Sequence, residues 1–385
     1  MHSKTLTYKD PKRYQWPLAL LVPMLAAAGP ILFVWTNHAW VFWLPVLFLY
    51  TLFPLLDALC GSDPYNPPDS AVAQLDADRY YSWVLYLMLP LQIVSFVGAA
   101  AFLVQHTLPA HAWVALVVCS GVVGGFCINV AHELGHQRSV VERTVAKLLL
   151  ATTGYGHFTI EHNRGHHRDV ATPDDPASAR MGESIYQFYL REQPGTIARA
   201  WRLERDRMRK DGHQVFSLHN EILQCALMTI VFWGAITFAL GPFALVFVVA
   251  ASLWANFQLT SANYIEHYGL LRNRLESGRF EPCRPQHSWN SNHRVTNWAL
   301  FHLQRHSDHH ANATRRYQSL RTFDDVPQLP TGYFGMFLMA YVPPLFYAVM
   351  NPKVVRWAHA NGAQINFAPS KRAQLLAQFG LAASG

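Results

Sequence analysis

The sequence predicts an all-α integral membrane protein, with six transmembrane helices and a helical cap gathered on one side of the bilayer. Two observations carry this reading. Of 385 residues, 51% are hydrophobic and only 14% charged, where a soluble domain carries about 25% charged residues. The apolar residues also fall into six runs, at 17–35, 39–57, 81–105, 111–131, 222–240 and 243–265. Each is close to the ~20 residues a helix needs to cross the hydrocarbon core.

Residues 1–16 are polar and basic, with Lys4, Lys9, Lys12 and Arg13, and lack the apolar core and small-residue cleavage site of a secretory signal. Only Thr36-Asn37-His38 separates the first two runs. Both contain proline, which membrane helices tolerate where neighbours satisfy the freed carbonyls. Asp57 closes the second run at the interface, and residues 60–80 form a loop rich in Pro and Asp. The fourth run carries Gly121 and Gly125, a small-x-x-x-small pair that lets another helix approach closely. It leads straight into His132. Residues 132–221 are the largest polar segment, and its apolar stretch Leu148–Ala151 is too short to cross. Gly241-Pro242 joins the fifth and sixth runs. The sixth holds Asn256, Gln258, Thr260, Ser261 and Asn263, polar groups that belong on the bundle interior. Residues 331–350 are apolar but broken by Pro343-Pro344, which predicts an interfacial or re-entrant segment. Residues 1–355 read as a single membrane domain and 356–385 as a C-terminal tail or linker. Cys60, Cys119, Cys127, Cys225 and Cys283 form no C-x-x-C pair, so no zinc ribbon, iron–sulfur motif or disulfide framework is present in the sequence.

Nine of the 20 histidines gather in four clusters: His132-Glu-Leu-Gly-His136, Glu161-His162-Asn-Arg-Gly-His166-His167, Glu266-His267, and His306-Ser-Asp-His309-His310. Residues four apart share a helix face. His132 and His136 therefore aim at one point, as do His162 and His166, and His306, His309 and His310 share a face. The other histidines lack such spacing; His302, one turn before His306, comes nearest to an exception.

Counting spans puts all four clusters on one side. Four runs precede His132, none separates His136 from His162, two separate His167 from His267, and none separates His267 from His306. All 31 Lys and Arg residues lie in segments on that side, and the opposite turns at 36–38, 106–110 and 241–242 have none. The positive-inside rule makes that side cytoplasmic. It also accounts for the net charge of +7 without a nucleic-acid partner.

Nine imidazoles exceed the capacity of one metal ion, so two are expected. Imidazole suits Fe, Zn, Cu and Ni, and iron pairs with oxygen chemistry beside a lipid-facing cavity. Neutral ligands leave the ions' charge uncompensated. Glu133, Glu161, Asp169, Glu266 and Asp308 are the nearby carboxylates that can orient ring N–H groups from behind. The first cluster also fits H-E-x-x-H, the zinc protease pattern with Glu133 as general base. That site needs one more ligand and leaves three clusters without a role. A metal transporter is the non-enzyme alternative, but its site belongs near the bilayer midplane, and these clusters lie at one surface.

Taken together, the clusters make the sequence resemble the integral-membrane alkane monooxygenases, the alkane 1-hydroxylases. The matching stretches are His132-Glu-Leu-Gly-His136, Glu161-His-Asn-Arg-Gly-His-His167, Asn263-Tyr-Ile-Glu-His-Tyr-Gly269 and Leu303-Gln-Arg-His-Ser-Asp-His-His310. Trp289-Asn-Ser-Asn-His293 and Leu329-Pro-Thr-Gly-Tyr333 extend the match, which covers residues 40–355. The histidine boxes are shared with fatty-acid desaturases and related hydroxylases, so an acyl desaturase is the alternative within oxidoreductases; the third and fourth stretches are more specific. The resemblance implies a non-haem di-iron site held by the nine histidines, with O₂ as oxidant. It implies conversion of the terminal methyl of medium-chain n-alkanes to 1-alkanols. It also implies electrons from a rubredoxin, itself served by an NAD(P)H-dependent reductase, and a bacterial inner membrane with the site and both termini in the cytoplasm. An alkane offers no polar handle. Each buried CH₂ is worth about 0.8 kcal/mol, so a graded chain-length range follows. No cysteine pair, haem motif or nucleotide loop is present, so another protein must bring the electrons. Residues 191–211, with seven basic against four acidic side chains, are the expected docking surface, Arg202 and Arg205 among them.

Overall fold

A computed structural model describes residues 8–381; the first seven residues, with Lys4, and the Ala-Ala-Ser-Gly end lie outside them. Among the described residues, six helices are long and apolar enough to cross a membrane, which makes this a multi-pass membrane protein. They are α1 (Trp16–Thr36), α2 (Ala39–Cys60), α3 (Arg79–Gln105), α4 (Ala110–Gly135), and, after the first part of the cap, Glu221–Leu240 and Pro242–His267. Between α4 and the fifth span lie three cap helices. Helix α5 is Val140–Thr152. Helix α6 runs continuously through Phe158–Glu161, His162–His166 and His167–Asp169. Helix α7 is Ile185–Lys210. The last two spans are α8 and α9. Then come α10 (Arg294–Ala299), α11 (His306–Ala311), α12 (Tyr333–Ala340), α13 (Pro343–Asn361) and α14 (Arg372–Phe379).

Local chemistry explains the boundaries. The first of the three short turns between spans closes on Asn37 in the left-handed region, φ 54°, which Asn adopts more readily than most residues. The third closes on Gly241, φ 89°, with Pro242 starting α9, where its missing N–H costs nothing. Ser184 and Gln187 form a reciprocal capping box at α7, and Asn220 Oδ1 accepts from Ile222 N and Leu223 N at α8. Asp57 does not mark the end of α2, which continues to Cys60. Its buried carboxylate instead caps α10, accepting from Val295 N at 2.8 Å and Thr296 N at 2.9 Å.

Helix α4 is the axis of the bundle, packed most extensively against α9. The glycines of α4 make that contact. A Cβ on Gly121 would stand 2.7 Å from the Trp254 side chain and 2.8 Å from Ala251 O, and one on Gly125 would stand 2.7 Å from Gln258 Cβ. Gln258, Thr260, Ser261 and Asn263 of α9 face inward, as their polarity requires; Asn256 is half-buried. Helices α12 and α13 meet at 119°, where Pro343 and Pro344 occupy the first turn of α13 and forbid a straight continuation.

The segment after residue 356 is tied into the cap. β2 (Gln364–Ile365) pairs antiparallel with β1 (Leu270–Leu271). Met181 N donates to Asn366 O at 2.7 Å and Asn366 N to Gly269 O at 3.0 Å. This clamps the loop that leaves α9 just past His267.

Candidate metal centre

The four clusters converge. His132 and His136 come from the end of α4, His162, His166 and His167 from α6, His267 from the last residue of α9, and His306, His309 and His310 from α11. Their rings sort into two groups. His132, His136, His162, His167 and His309 form one; His166, His267, His306 and His310 form the other. Within each group one nitrogen per ring lies within 4.8 Å of all the others.

This division departs in one respect from helical spacing. His162 and His166, four apart, lie in different groups, and His162 shares its group with His167. The cause is local: His162–His166 is a single π-helical turn, whose wider i→i+5 pitch brings residue 167 rather than 166 under residue 162. Helix α11 divides similarly, with His306 and His310 on one group and His309 on the other. Helices α6 and α11 therefore each serve both groups.

The nitrogens face one another across short gaps. Nε2 to Nε2, His132–His309 is 2.8 Å, His162–His167 3.0 Å and His167–His309 3.2 Å. In the second group His306–His310 is 3.0 Å and His267–His306 3.2 Å. For a metal–nitrogen bond of about 2.1 Å, ligands at right angles stand about 3.0 Å apart, so these gaps match the edges of two coordination shells. Neutral imidazoles could satisfy a pair by one N–H···N bond, but not four or five rings turned to one centre. The buried His136 Nε2 and His166 Nε2 have no hydrogen-bond partner, which a metal ion would supply. Burial and the neighbouring rings hold His162, His167, His306 and His310 well below the ordinary histidine pKa, and burial pushes His309 down to about 3. These five rings are thus neutral near pH 7, the form in which imidazole binds a metal.

Sequence comparison agrees with this geometry. A sequence model of the fatty acid desaturase family matches residues 107–340. The chain is 47% identical to alkane 1-monooxygenase 1 of Alcanivorax borkumensis, over 98% of this chain and 93% of that protein. It is also 47% identical to alkane 1-monooxygenases of Ectopseudomonas oleovorans (98% and 94% covered) and Pseudomonas putida (97% and 92%). The chain belongs to the alkane 1-monooxygenase family.

In this family member the carboxylates around the histidines divide by what they touch. Glu266 reaches the four-histidine group: Oε2 stands 3.3 Å from His306 Nε2, and Oε1 accepts from the Tyr333 hydroxyl at 2.8 Å. Glu161 acts at one remove, binding Arg199, whose Nη2 also donates to Asp175 Oδ1 at 2.7 Å. The other three are engaged elsewhere. Glu133 accepts from Tyr317 N at 3.1 Å. Asp308 takes Arg315 at 2.8 Å, and Asp169 pairs with Arg168 at 2.7 Å.

The carboxylate closest behind a ring is one that spacing does not single out. Asp175 Oδ2 lies 2.9 Å from His166 Nδ1, both buried. Burial alone would lower the His166 pKa, but the adjoining carboxylate outweighs it and raises it. Asp175 lies eight residues past His167 in an irregular loop, so no periodicity reveals it; only the bend after His167 does. Backbone carbonyls do the same work elsewhere: His267 Nδ1 is 3.3 Å from His287 O. His302 joins neither group. Its Nδ1 lies 2.8 Å from Tyr317 O and its ring stands edge-on to Trp16.

A narrow apolar cleft with a cavity volume of about 30 Å³ lies beneath the histidines on the bilayer side. Val122 and Phe126 of α4, Leu259 of α9, Leu303, and Phe334 and Phe337 of α12 supply most of its wall. Its few polar groups are already partnered: Asn129 Nδ2 donates to Leu300 O at 2.8 Å, and Gln258 joins Tyr50 and Tyr341. Asn129, Ala262 and Leu303 precede His132, Glu266 and His306 by three or four residues, which sets the cavity's inner end against the site. Tyr333, in its wall, carries the hydroxyl bonded to Glu266.

Proposed function

We propose that this protein hydroxylates the terminal methyl of medium-chain n-alkanes at a di-iron centre held by the nine histidines, using O₂ and electrons from a rubredoxin. The observation that carries the proposal is the junction of the two parts: a narrow apolar cavity that ends against two convergent imidazole shells. His132, His136, His162, His167 and His309 would hold one iron, and His166, His267, His306 and His310 the other. The names of the relatives above supply the reaction and its substrate.

Bound iron would supply oxygen activation. The balance is R–CH₃ + O₂ + 2e⁻ + 2H⁺ → R–CH₂OH + H₂O, which requires an external reductant. The chain's residues do the rest. The cavity wall strips water from the alkane and presents one end, since a channel between Phe126, Phe334 and Phe337 admits an unbranched chain more readily than a folded one. No free polar group in that wall invites an acyl headgroup, which favours a hydrocarbon over a fatty-acyl substrate. Asp175 and the His287 carbonyl fix ring orientation from behind. Glu266, clamped by Tyr333, is the carboxylate available at the inner end of the cavity. The parity of the spans supports a site at one membrane face, and the distribution of Lys and Arg a cytoplasmic one, as in a bacterial inner membrane.

The test is purification under reducing conditions, metal analysis, and turnover of octane with O₂, rubredoxin and its reductase. Two irons per chain and 1-octanol are expected. Stoichiometric zinc in active protein would remove the di-iron assignment, and internal alkenes from acyl lipids as the sole products would replace the hydroxylase reading with desaturation.

A further inference from the structure

We propose that the acidic electron carrier docks over a window formed by His136 and His167, seated on Arg138, Arg143, Arg168, Arg274 and Arg279. This rests on the reading above that a small acidic protein brings the electrons.

Seven of the nine histidines are buried, and His136 and His167 are partly exposed. Both belong to the five-histidine group, and their rings meet edge to face with centroids 4.6 Å apart. Asn163 Nδ2 donates to Gly135 O at 2.9 Å, which holds the end of α4 against the π turn and keeps the two rings at one opening. A donor placed there stands one imidazole away from the centre. Electron transfer weakens steeply with distance, so no other approach on the described surface is as direct.

The surroundings are basic where a partner would touch them. Arg138 lies two residues past His136 and is exposed, as is Arg143 on α5. Arg168 follows His167; its side chain is 64% exposed although it pairs with Asp169. Arg272 reaches across with Nη2 to Arg168 O at 2.7 Å and Nε to Val170 O at 2.6 Å. That pins the 273–281 hairpin beside the window, with Arg274 and Arg279 exposed on it. The acids of the histidine-bearing segments point the other way: Glu133, Glu142, Glu161 and Asp308 are all buried. Asp169, Asp174 and the hairpin's Glu276 and Glu281 are the acids near the rim, against the five arginines named. Neutral imidazoles add no negative charge, so an acidic surface meets guanidinium groups first, the arrangement that steers a transient complex.

Helix α7, the surface expected from residues 191–211, is built otherwise. Arg191 is tied to Glu183, Arg199 is buried between Glu161 and Asp175, and Arg207 binds Glu204 and Asp211. Its exposed stripe contains Tyr186, Leu190 and Ile197, with Phe216 beyond, an apolar face suited to the lipid interface, and its exposed cations, Arg202, Arg209 and Lys210, lie toward its C-terminal end.

The test compares wild type, an R138E/R168E double variant and an R202E/R205E double variant by titrating a bacterial rubredoxin in octane turnover. Reversal at 138 and 168 is expected to raise the apparent KM for rubredoxin about tenfold or more, and R202E/R205E to change it by less than about twofold. Arg272 holds the Arg168 carbonyl, not its side chain, so the hairpin survives the substitution. The R138Q/R168Q variant, with its iron content measured, guards against misfolding and should give an intermediate KM. An unchanged KM in R138E/R168E, or a rise confined to R202E/R205E, overturns the window while leaving rubredoxin as donor. Wild type that turns over with a chemical reductant but not with rubredoxin overturns the donor reading, and the window with it.

Discussion

Replacement of Asp175 by Asn tests whether the two histidine groups are separate sites. Both oxygens of Asp175 accept. Oδ1 takes Arg199 Nη2 at 2.7 Å and Ala177 N at 3.1 Å, and Oδ2 takes Ser178 Oγ at 2.6 Å and faces His166 Nδ1 at 2.9 Å. An amide has one acceptor. Whichever way the substituted side chain turned, its NH₂ would meet a guanidinium or the Ser178 and His166 donors. His166 would then lose the partner that fixes its ring and tautomer. Carboxylates behind ligating histidines are worth about 10–100-fold in metal affinity, or about 1.4–2.7 kcal/mol. Because His166 belongs only to the four-histidine group, the loss should fall on one ion. Under graded chelator competition, the D175N protein should release one iron at about 10–100-fold lower chelator concentration than wild type and keep the other at the wild-type threshold. Colorimetric iron analysis of desalted samples reads this directly. Release of both irons together would show that Asp175 supports the whole cap rather than one group, and an unchanged profile would show that it orients nothing.

Other outcomes follow from the same geometry. His166→Ala and His167→Ala, adjacent in sequence, should each leave about one iron per chain but on different centres, distinguishable by Mössbauer spectroscopy; identical residual spectra would contradict the division. Phe337 lies one turn of α12 beyond Tyr333 and lines the cavity, so Phe337→Ala should move competition between octane and dodecane toward dodecane, each added CH₂ contributing up to about 0.8 kcal/mol; an unchanged product ratio would place the substrate elsewhere. Gly125→Leu drives a side chain into Gln258 and should destabilise the α4–α9 contact by about 1–3 kcal/mol, read as a lower unfolding temperature in detergent, whereas Gly234→Ala, with open space around it, should not. Removing the metal should lower the unfolding temperature, because each group joins several separate segments; iron at 100 times its Kd contributes about 2.7 kcal/mol per site, and equal temperatures for stripped and reloaded protein would argue against ligation by these segments.

The sequence by itself determined which residues form the spans and which histidines come together in space. Both signals are local. A run of apolar residues long enough to cross a bilayer can be read without its neighbours, and histidines three, four or five apart cannot be far apart in space. Span parity then sufficed to put His132, His162, His267 and His306 on one side. How the nine rings divide was not legible in the same way. The four-residue spacing of His162 and His166 implies one face, and the π turn that separates them is a small change of pitch that the histidine spacing does not signal. Asp175 was hidden for a related reason: its contact with His166 depends on a loop folding back, held by Arg199 from a helix more than twenty residues away. The docking surface shows the same limit. Charge counted along 191–211 is positive, but the fold pairs most of those arginines with acids, while near His136 and His167 it buries Glu133, Glu142 and Glu161 and leaves Arg138, Arg143 and Arg168 exposed. Sequence specifies what charge each residue carries; which of those charges reaches the surface is decided only when the chain packs.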